Sequence, residues 1–196
     1  MPGLLAWTVP AARSAGAYFR GMRFLAISGS LRAESSNRAV LDAARSLAPP
    51  GIDVVLFDGL GSLPLFNPDD DVDAPPLAVA AWRAEIARAD ALIFCSPEYG
   101  RGVPGALKNA LDWLVSGVEV TGKPIASINA SPIATAGQQA LLTTLRTIGS
   151  VVESAVITLP LTSAERSAAA IIAAPDLSAA LRGALDSLAA EVTRGA

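Results

Sequence analysis

The chain has 196 residues, of which 52% are apolar and 17% charged, a balance that suits one globular domain and argues against disorder. It has no histidine and a single cysteine, Cys95, so a Ser-His-Asp or Cys-His catalytic unit, histidine-ligated zinc and a thiolate metal site are excluded within the chain. The formal charge of -3 gives no electrostatic reason to expect nucleic acid, and no apolar run approaches the roughly 20 residues of a membrane span.

Residues 1–21 carry Arg13 and Arg20, no acid, and a short apolar piece from Leu4 to Val9 that Pro10 stops. That piece is short for a secretory signal, and both charges lie on its wrong side. The expectation is a disordered extension over 1–21 and one domain over 22–196. Within the domain, continuous apolar runs occur at Phe24 to Ser28, Val54 to Phe57, Ala91 to Cys95, Ile125 to Ile128 and Val151 to Leu159. Runs without alternation predict strands buried on both faces, as in a parallel sheet. Helical stripes separate them. Val40, Leu41, Ala44 and Leu47 form one, and Val103, Leu107, Ala110, Leu111 and Leu114 another, with Pro104 in its first turn. Residues 77–88, 137–148 and 176–194 supply the remaining helices. A β-α unit repeated five times predicts a doubly wound, five-stranded parallel sheet, and the expected strand order, 2-1-3-4-5, is that of the flavodoxin-like type, adopted by analogy with that fold.

Two segments carry chemistry. The first, Ser28-Gly29-Ser30-Leu31-Arg32-Ala33-Glu34-Ser35-Ser36-Asn37, leaves strand 1 and opens helix 1. Ser30, Ser35, Ser36 and Asn37 offer short hydrogen-bonding side chains and Arg32 a forked cation. A helix N-terminus adds free N–H groups and a positive dipole end, so the set favours a phosphate over an ordinary serine-capped turn. The spacing is neither G-x-G-x-x-G nor a P-loop. The second segment, Ser96-Pro97-Glu98-Tyr99-Gly100-Arg101-Gly102-Val103-Pro104-Gly105, leaves strand 3. Its three glycines and two prolines shape a loop in which Tyr99 could lie against a planar ring; read alone, it is equally a Gly/Pro turn with a surface tyrosine. In the order 2-1-3-4-5 the two loops follow neighbouring strands, where the crevice of such a sheet opens.

Together, Gly29-Ser30-Leu31-Arg32 with Ser35 and Asn37, then Ser96-Pro97-Glu98-Tyr99 and Val103-Pro104-Gly105-Ala106-Leu107-Lys108-Asn109-Ala110-Leu111-Asp112-Trp113-Leu114, resemble the NADPH-dependent FMN reductase family, which includes quinone, azo-dye and chromate reductases. The resemblance spans about 22–160. It implies that Ser30, Arg32, Ser35, Ser36 and Asn37 surround the phosphate of FMN, that Pro97, Glu98, Tyr99 and Gly100 flank the isoalloxazine, and that the loop bearing Ser131 approaches its other side. Gly100 stands where many members have asparagine, and 133–137 is less glycine-rich than in the better-known quinone reductases.

The function this implies is hydride transfer from NADPH or NADH, as co-substrate, through FMN to free flavin, a quinone or a similar small electron acceptor. The cofactor carries the chemistry, and no side chain is singled out as catalytic. A non-catalytic FMN-binding electron carrier is the alternative, since it needs the same phosphate site; an apo interaction domain would leave Ser30 and Arg32 without purpose. The lone cysteine fits a reducing, cytoplasmic location. Leu107, Leu111, Trp113 and Leu114 give helix 3 more apolar surface than one sheet face needs, which suggests a homodimer or homotetramer, as the resemblance does. Asp69, Asp71 and Asp73 read as a solvated acidic loop, since Ala74 and Ala80 stand where a calcium loop needs glycine and glutamate. Trp82 and Trp113 read as core or interface, Cys95 as a small core residue, and Lys108 with Asp112 as a surface pair.

Overall fold

The five apolar runs become the strands β1 (Met22–Ser28), β2 (Ile52–Phe57), β3 (Ala91–Cys95), β4 (Pro124–Asn129) and β5 (Ser150–Thr158) of one sheet. The computed structural model describes residues 21–195, so the extension expected over 1–21 lies, apart from Gly21, outside the described residues. Every pairing is parallel and the order is β2-β1-β3-β4-β5, as the sequence predicts. The runs lack alternation because both faces are covered. Phe24, Ala26, Ile93 and Cys95 join one core; Leu25, Ile27, Leu92 and Phe94 join the other.

Helices α1 (Ser36–Leu47), α5 (Ala168–Ala173) and α6 (Pro175–Gly195) pack on the first face. Helices α2 (Leu77–Arg88), α3 (Gly105–Asp112) and α4 (Thr135–Ile148) pack on the second. Pro104 precedes α3 at the cap rather than inside its first turn. Helix α5 was not expected: six residues are too few for a periodic signal, and Ile171 is its one buried anchor. Ser167 caps it, accepting from the Ala170 N–H at 3.2 Å.

Trp82 and Trp113 are core. The Trp82 indole N–H donates to the Ala110 carbonyl at 3.0 Å and ties α2 to α3. Trp113 donates to the Pro64 carbonyl at 2.9 Å and meets Phe66 edge-on, ring centroids 5.0 Å apart. The chain over 60–66 thus folds across α3, and Leu107, Leu111, Trp113 and Leu114 are no more than 1% exposed. The apolar surplus that suggested a partner for this helix is consumed inside the chain. The acidic loop also departs from expectation. Asp71 pairs with Arg83 at 2.8 Å, both side chains largely buried. The Ser116 hydroxyl and then the Arg83 guanidinium hold its carboxyl below the usual range. Lys108 and Asp112 pair at 2.5 Å as expected.

Asn109, one turn before Trp113, grips the same covering segment twice. Its Oδ1 accepts from the Phe66 N–H at 2.7 Å and its Nδ2 donates to the Pro64 carbonyl at 2.8 Å. Asn109→Ala is expected to lower stability by about 1–3 kcal/mol, chiefly the cost of leaving the Phe66 N–H without its partner, since the Pro64 carbonyl keeps the Trp113 indole N–H. Urea unfolding measures the loss, and hydrogen exchange should quicken at Phe66 first.

Candidate functional site

Ser28 and Cys95 are paired where β1 and β3 end. Beyond them the Gly29 N–H donates to the Cys95 carbonyl at 2.9 Å. A Cβ on Gly29 would fall 2.3 Å from Ser96 Oγ and 3.0 Å from Leu107 Cδ2, so only glycine lets the two loops leave side by side. They open the crevice at the carboxyl ends of the strands, where the strand order reverses.

One half of the crevice, about 570 Å³, lies over the start of α1 and is lined by Ser30, Arg32, Ser35, Ser36, Asn37 and Tyr99 among others. Ser28 and Ser30 shape the approach: Ser28 Oγ accepts from the Ser30 N–H at 3.2 Å, and Ser30 Oγ from the Arg32 N–H at 3.3 Å. Ser35 occupies the cap position of α1, yet its hydroxyl accepts nothing from the helix, and the first turn holds no acid. The amides there are left to the cleft, a setting that favours an anion. Arg32 forms no ion pair among the described residues. Arg38, in the first turn of α1, is already neutralised: it bonds Asp58 and, at 3.3 Å, Asp42. Burial works against its charge, but the hydrogen bond and field of Asp58, with Asp42, more than offset that and raise its pKa.

Asn37 does something different from its expected phosphate contact. It is nearly buried, and its Oδ1 accepts from the Cys95 thiol at 3.3 Å, pinning α1 to the end of β3. Its amide end alone remains for the cleft.

The other half, about 390 Å³, includes Pro97, Glu98, Ser131 and Ile133 in its lining and shares Ser36, Asn37, Pro97 and Arg166 with the first. Glu98 is engaged elsewhere: its Oε2 accepts from the Gly137 N–H at 2.7 Å, satisfying the first turn of α4 from outside that helix. A Cβ on Gly137 would lie 2.9 Å from Glu98 Cβ, so the two loops also touch here without room to spare. Ser131 is held by Asn129, whose Oδ1 accepts from the Ser131 N–H at 3.0 Å and whose Nδ2 donates to the Ala134 carbonyl at 3.1 Å.

Tyr99 and Gly102 exchange backbone hydrogen bonds at 3.0 and 3.1 Å, closing a two-residue hairpin with Gly100 and Arg101 at φ 57° and 62°. Both central residues have positive φ, the hairpin turn that matches strand twist. Gly100 is therefore there for its backbone. It sits at the tip, lines neither half of the crevice, and a Cβ on it would meet nothing within 4 Å. Arg101 carries the left-handed conformation at a cost of about 1–2 kcal/mol. Tyr99, at the hairpin base, is 53% exposed and free to cover a flat ligand.

Nine of the ten expected residues line the crevice; Gly100 does not. Arg166 and Ile133 escaped sequence reasoning: an arginine in a Ser/Ala-rich stretch offered no signal. A comparable hollow of about 570 Å³ opens at the amino ends of the strands beside Asp90 and Lys123. Lys123 there donates to the Ala87 and Ala89 carbonyls, closing the C-terminus of α2.

Cys95 is fully buried, and burial pushes its thiol well above the ordinary range. Thiol reagent at pH 8 should leave the folded protein unlabelled and label it fully in denaturant. With the folded pKa raised, stability is complete below the ordinary thiol pKa. Above it the unfolded thiol ionises while the folded one keeps its proton, so stability falls by about 1.4 kcal/mol per pH unit. Urea midpoints across that range, against Cys95→Ala, isolate this contribution.

The sequence model of the family described as NADPH-dependent FMN reductase matches residues 22–169. A quinone reductase of Pseudomonas putida is 42% identical over 119 residues, covering 56% of this chain and 60% of the relative. An NAD(P)H-dependent FMN reductase of Pseudomonas aeruginosa is 44% identical over 112 residues, with the same shares covered. The matched stretch thus spans about three fifths of these curated relatives. Among solved structures, the flavoenzyme NAD(P)H:acceptor oxidoreductase FerB of Paracoccus denitrificans superposes with a TM-score of 0.70 at 27% identity, over 88% of this chain and 98% of that one.

Proposed function

Since the chain belongs to the NADPH-dependent FMN reductase family, we propose that it binds FMN in this crevice and transfers hydride from NADPH or NADH to a quinone, a free flavin or a similar small acceptor. The observation that carries the reading is the uncapped, acid-free start of α1, open to a cleft that also holds the unpaired Arg32. The group and the residues fit. The two halves of the crevice have volumes within the roughly 300–1,000 Å³ of small-molecule sites. The phosphate half offers backbone donors, Ser30, Ser35 and Ser36, the amide end of Asn37, and a forked cation in Arg32.

FMN supplies the electron sink that takes hydride from the nicotinamide and passes it on. This chain's residues bind and orient. Pro97 and Tyr99 would hold the ring from one side and the Ser131 loop from the other, while Glu98 acts at one remove, holding loop 96–104 against α4. Gly100 belongs to the site only through the turn that presents Tyr99. With no histidine in the chain, no imidazole can relay protons to the reduced acceptor, and solvent is the source at hand. The domain of this reading is 22–196.

The chain assembles as a homodimer or homotetramer in this reading, though not through the buried face of α3. Val72 and Val118, 57% and 82% exposed along one groove, are better placed. Light scattering at micromolar concentration should give a multiple of 20.0 kDa; a monomer mass rejects this part.

The decisive experiment is the absorbance spectrum of the protein loaded with FMN, followed by NADPH without oxygen. Bleaching of the flavin band and its return on adding a quinone are the expected outcome. A bound flavin that NADPH does not bleach indicates the carrier alternative instead. Arg32→Ala should weaken FMN by about 1.5–3 kcal/mol, the scale of a hydrogen bond to a charged group, measured by fluorescence titration.

A further inference from the structure

Arg166 lies between β5 and α5, far in sequence from both chemistry-bearing loops, yet it lines both halves of the crevice. Its side chain makes no hydrogen bond or ion pair among the described residues. The backbone on either side of it is nevertheless held. On one side Thr162 donates its N–H to Glu165 Oε2 at 3.0 Å and its hydroxyl to the same oxygen, and the Ala164 N–H donates to Thr162 Oγ1. On the other side Ser167 caps α5. The neighbouring carboxylate of Glu165 is thus occupied, and its pKa is lowered by the Thr162 hydroxyl and amide. Asp42, also on the cleft wall, is taken by Arg38 and Arg45.

Two arginines, Arg32 and Arg166, therefore line one cleft with no carboxylate paired to either; Glu34 is the one other unpaired charge on that wall among the described residues. Like charges sharing a site repel, and an anion between them reverses the sign of the interaction. Planar guanidinium forks suit the oxygens of a phosphate monoester, which spreads its charge over three acceptors. Resting on the reading of this crevice as an FMN site, we infer that Arg166 is a second phosphate ligand, closing on the FMN phosphate from the β5–α5 side while Arg32 and the start of α1 hold it from the other. The site is then a clamp drawn from two distant segments, and it selects the phosphorylated flavin over riboflavin.

The test compares FMN with riboflavin on wild type, Arg166→Ala, Arg166→Lys and Arg32→Ala, by fluorescence titration at low and high salt. Arg166→Ala should weaken FMN roughly tenfold to a hundredfold, the scale of one charge-assisted hydrogen bond, and leave riboflavin unchanged. Arg166→Lys should recover part of the loss, and the salt dependence of FMN binding should be shallower in Arg166→Ala. The melting temperature without flavin should not move, because the side chain has no partner there to lose. Equal FMN affinity in Arg166→Ala and wild type, with Arg32→Ala impaired, overturns the role of Arg166 while the FMN reading stands. Equal weakening of FMN and riboflavin also overturns it, because the phosphate would not be what Arg166 meets. Wild type that does not distinguish the two flavins removes the phosphate site and this inference together.

Discussion

The approach of Gly29 to Ser96 is the contact on which the crevice depends. It exists because β1 and β3 are neighbours, which their central positions in the β2-β1-β3-β4-β5 order require. At this spacing a side chain on Gly29 would meet Ser96 and Leu107 before anything else. The two loops would part, the start of α1 would swing from the Tyr99 hairpin, and the cleft walls would no longer face one another. A second close contact, Gly137 against Glu98, does the same for the loops after β3 and β4. The crevice is thus defined by the absence of two side chains as much as by the presence of others.

Charge is distributed to match. The chain carries a net charge of -3, but its acids are not spread evenly around the cleft. Asp42 and Asp58 neutralise Arg38 on α1, and Asp71 is withdrawn into a largely buried pair with Arg83 behind α2. Arg32 and Arg166 are paired with no acid, and Glu34 is the one unpaired carboxylate on their wall among the described residues. An arginine in water has little need of a partner; two facing one cleft beside uncapped helix amides constitute a local positive field in an acidic protein. The chemistry available without histidine is correspondingly one of binding and orientation around a redox group, not of proton relay.

Two residues that read as site residues hold the site's walls, and two on or beside α3 hold the segment that covers that helix. Glu98 serves α4, Asn37 serves the end of β3 through Cys95, and Asn109 and Trp113 hold the segment over α3. These contacts join residues 39 to 58 positions apart. Motif reading identifies such positions correctly as special but cannot assign the partner, because a polar side chain near a cleft has both cleft and neighbouring backbone within reach. Gly100 illustrates the converse: the resemblance puts it beside the flavin ring, and its role is a positive φ at a hairpin tip.

By itself the sequence determined the sheet. Unbroken apolar runs such as 91–95 fit strands covered on both faces, and the helical stripes between them call for parallel crossovers; the strand order came from likeness to the flavodoxin type of sheet, not from the pattern. The sequence also determined where ligand chemistry would gather, because the two unusual loops follow strands which that order makes adjacent, and it removed histidine from any mechanism. Tertiary structure alone decided which side chains face the cleft. A strand's period tells which face a residue takes, but a loop has no period. Whether Glu98 meets a ligand or α4, or whether Arg166 reaches the crevice at all, depends on packing between segments that nothing local encodes. Helix α5, whose one buried anchor is Ile171, shows the same limit: six residues acquire helical form from what they pack against rather than from their own pattern.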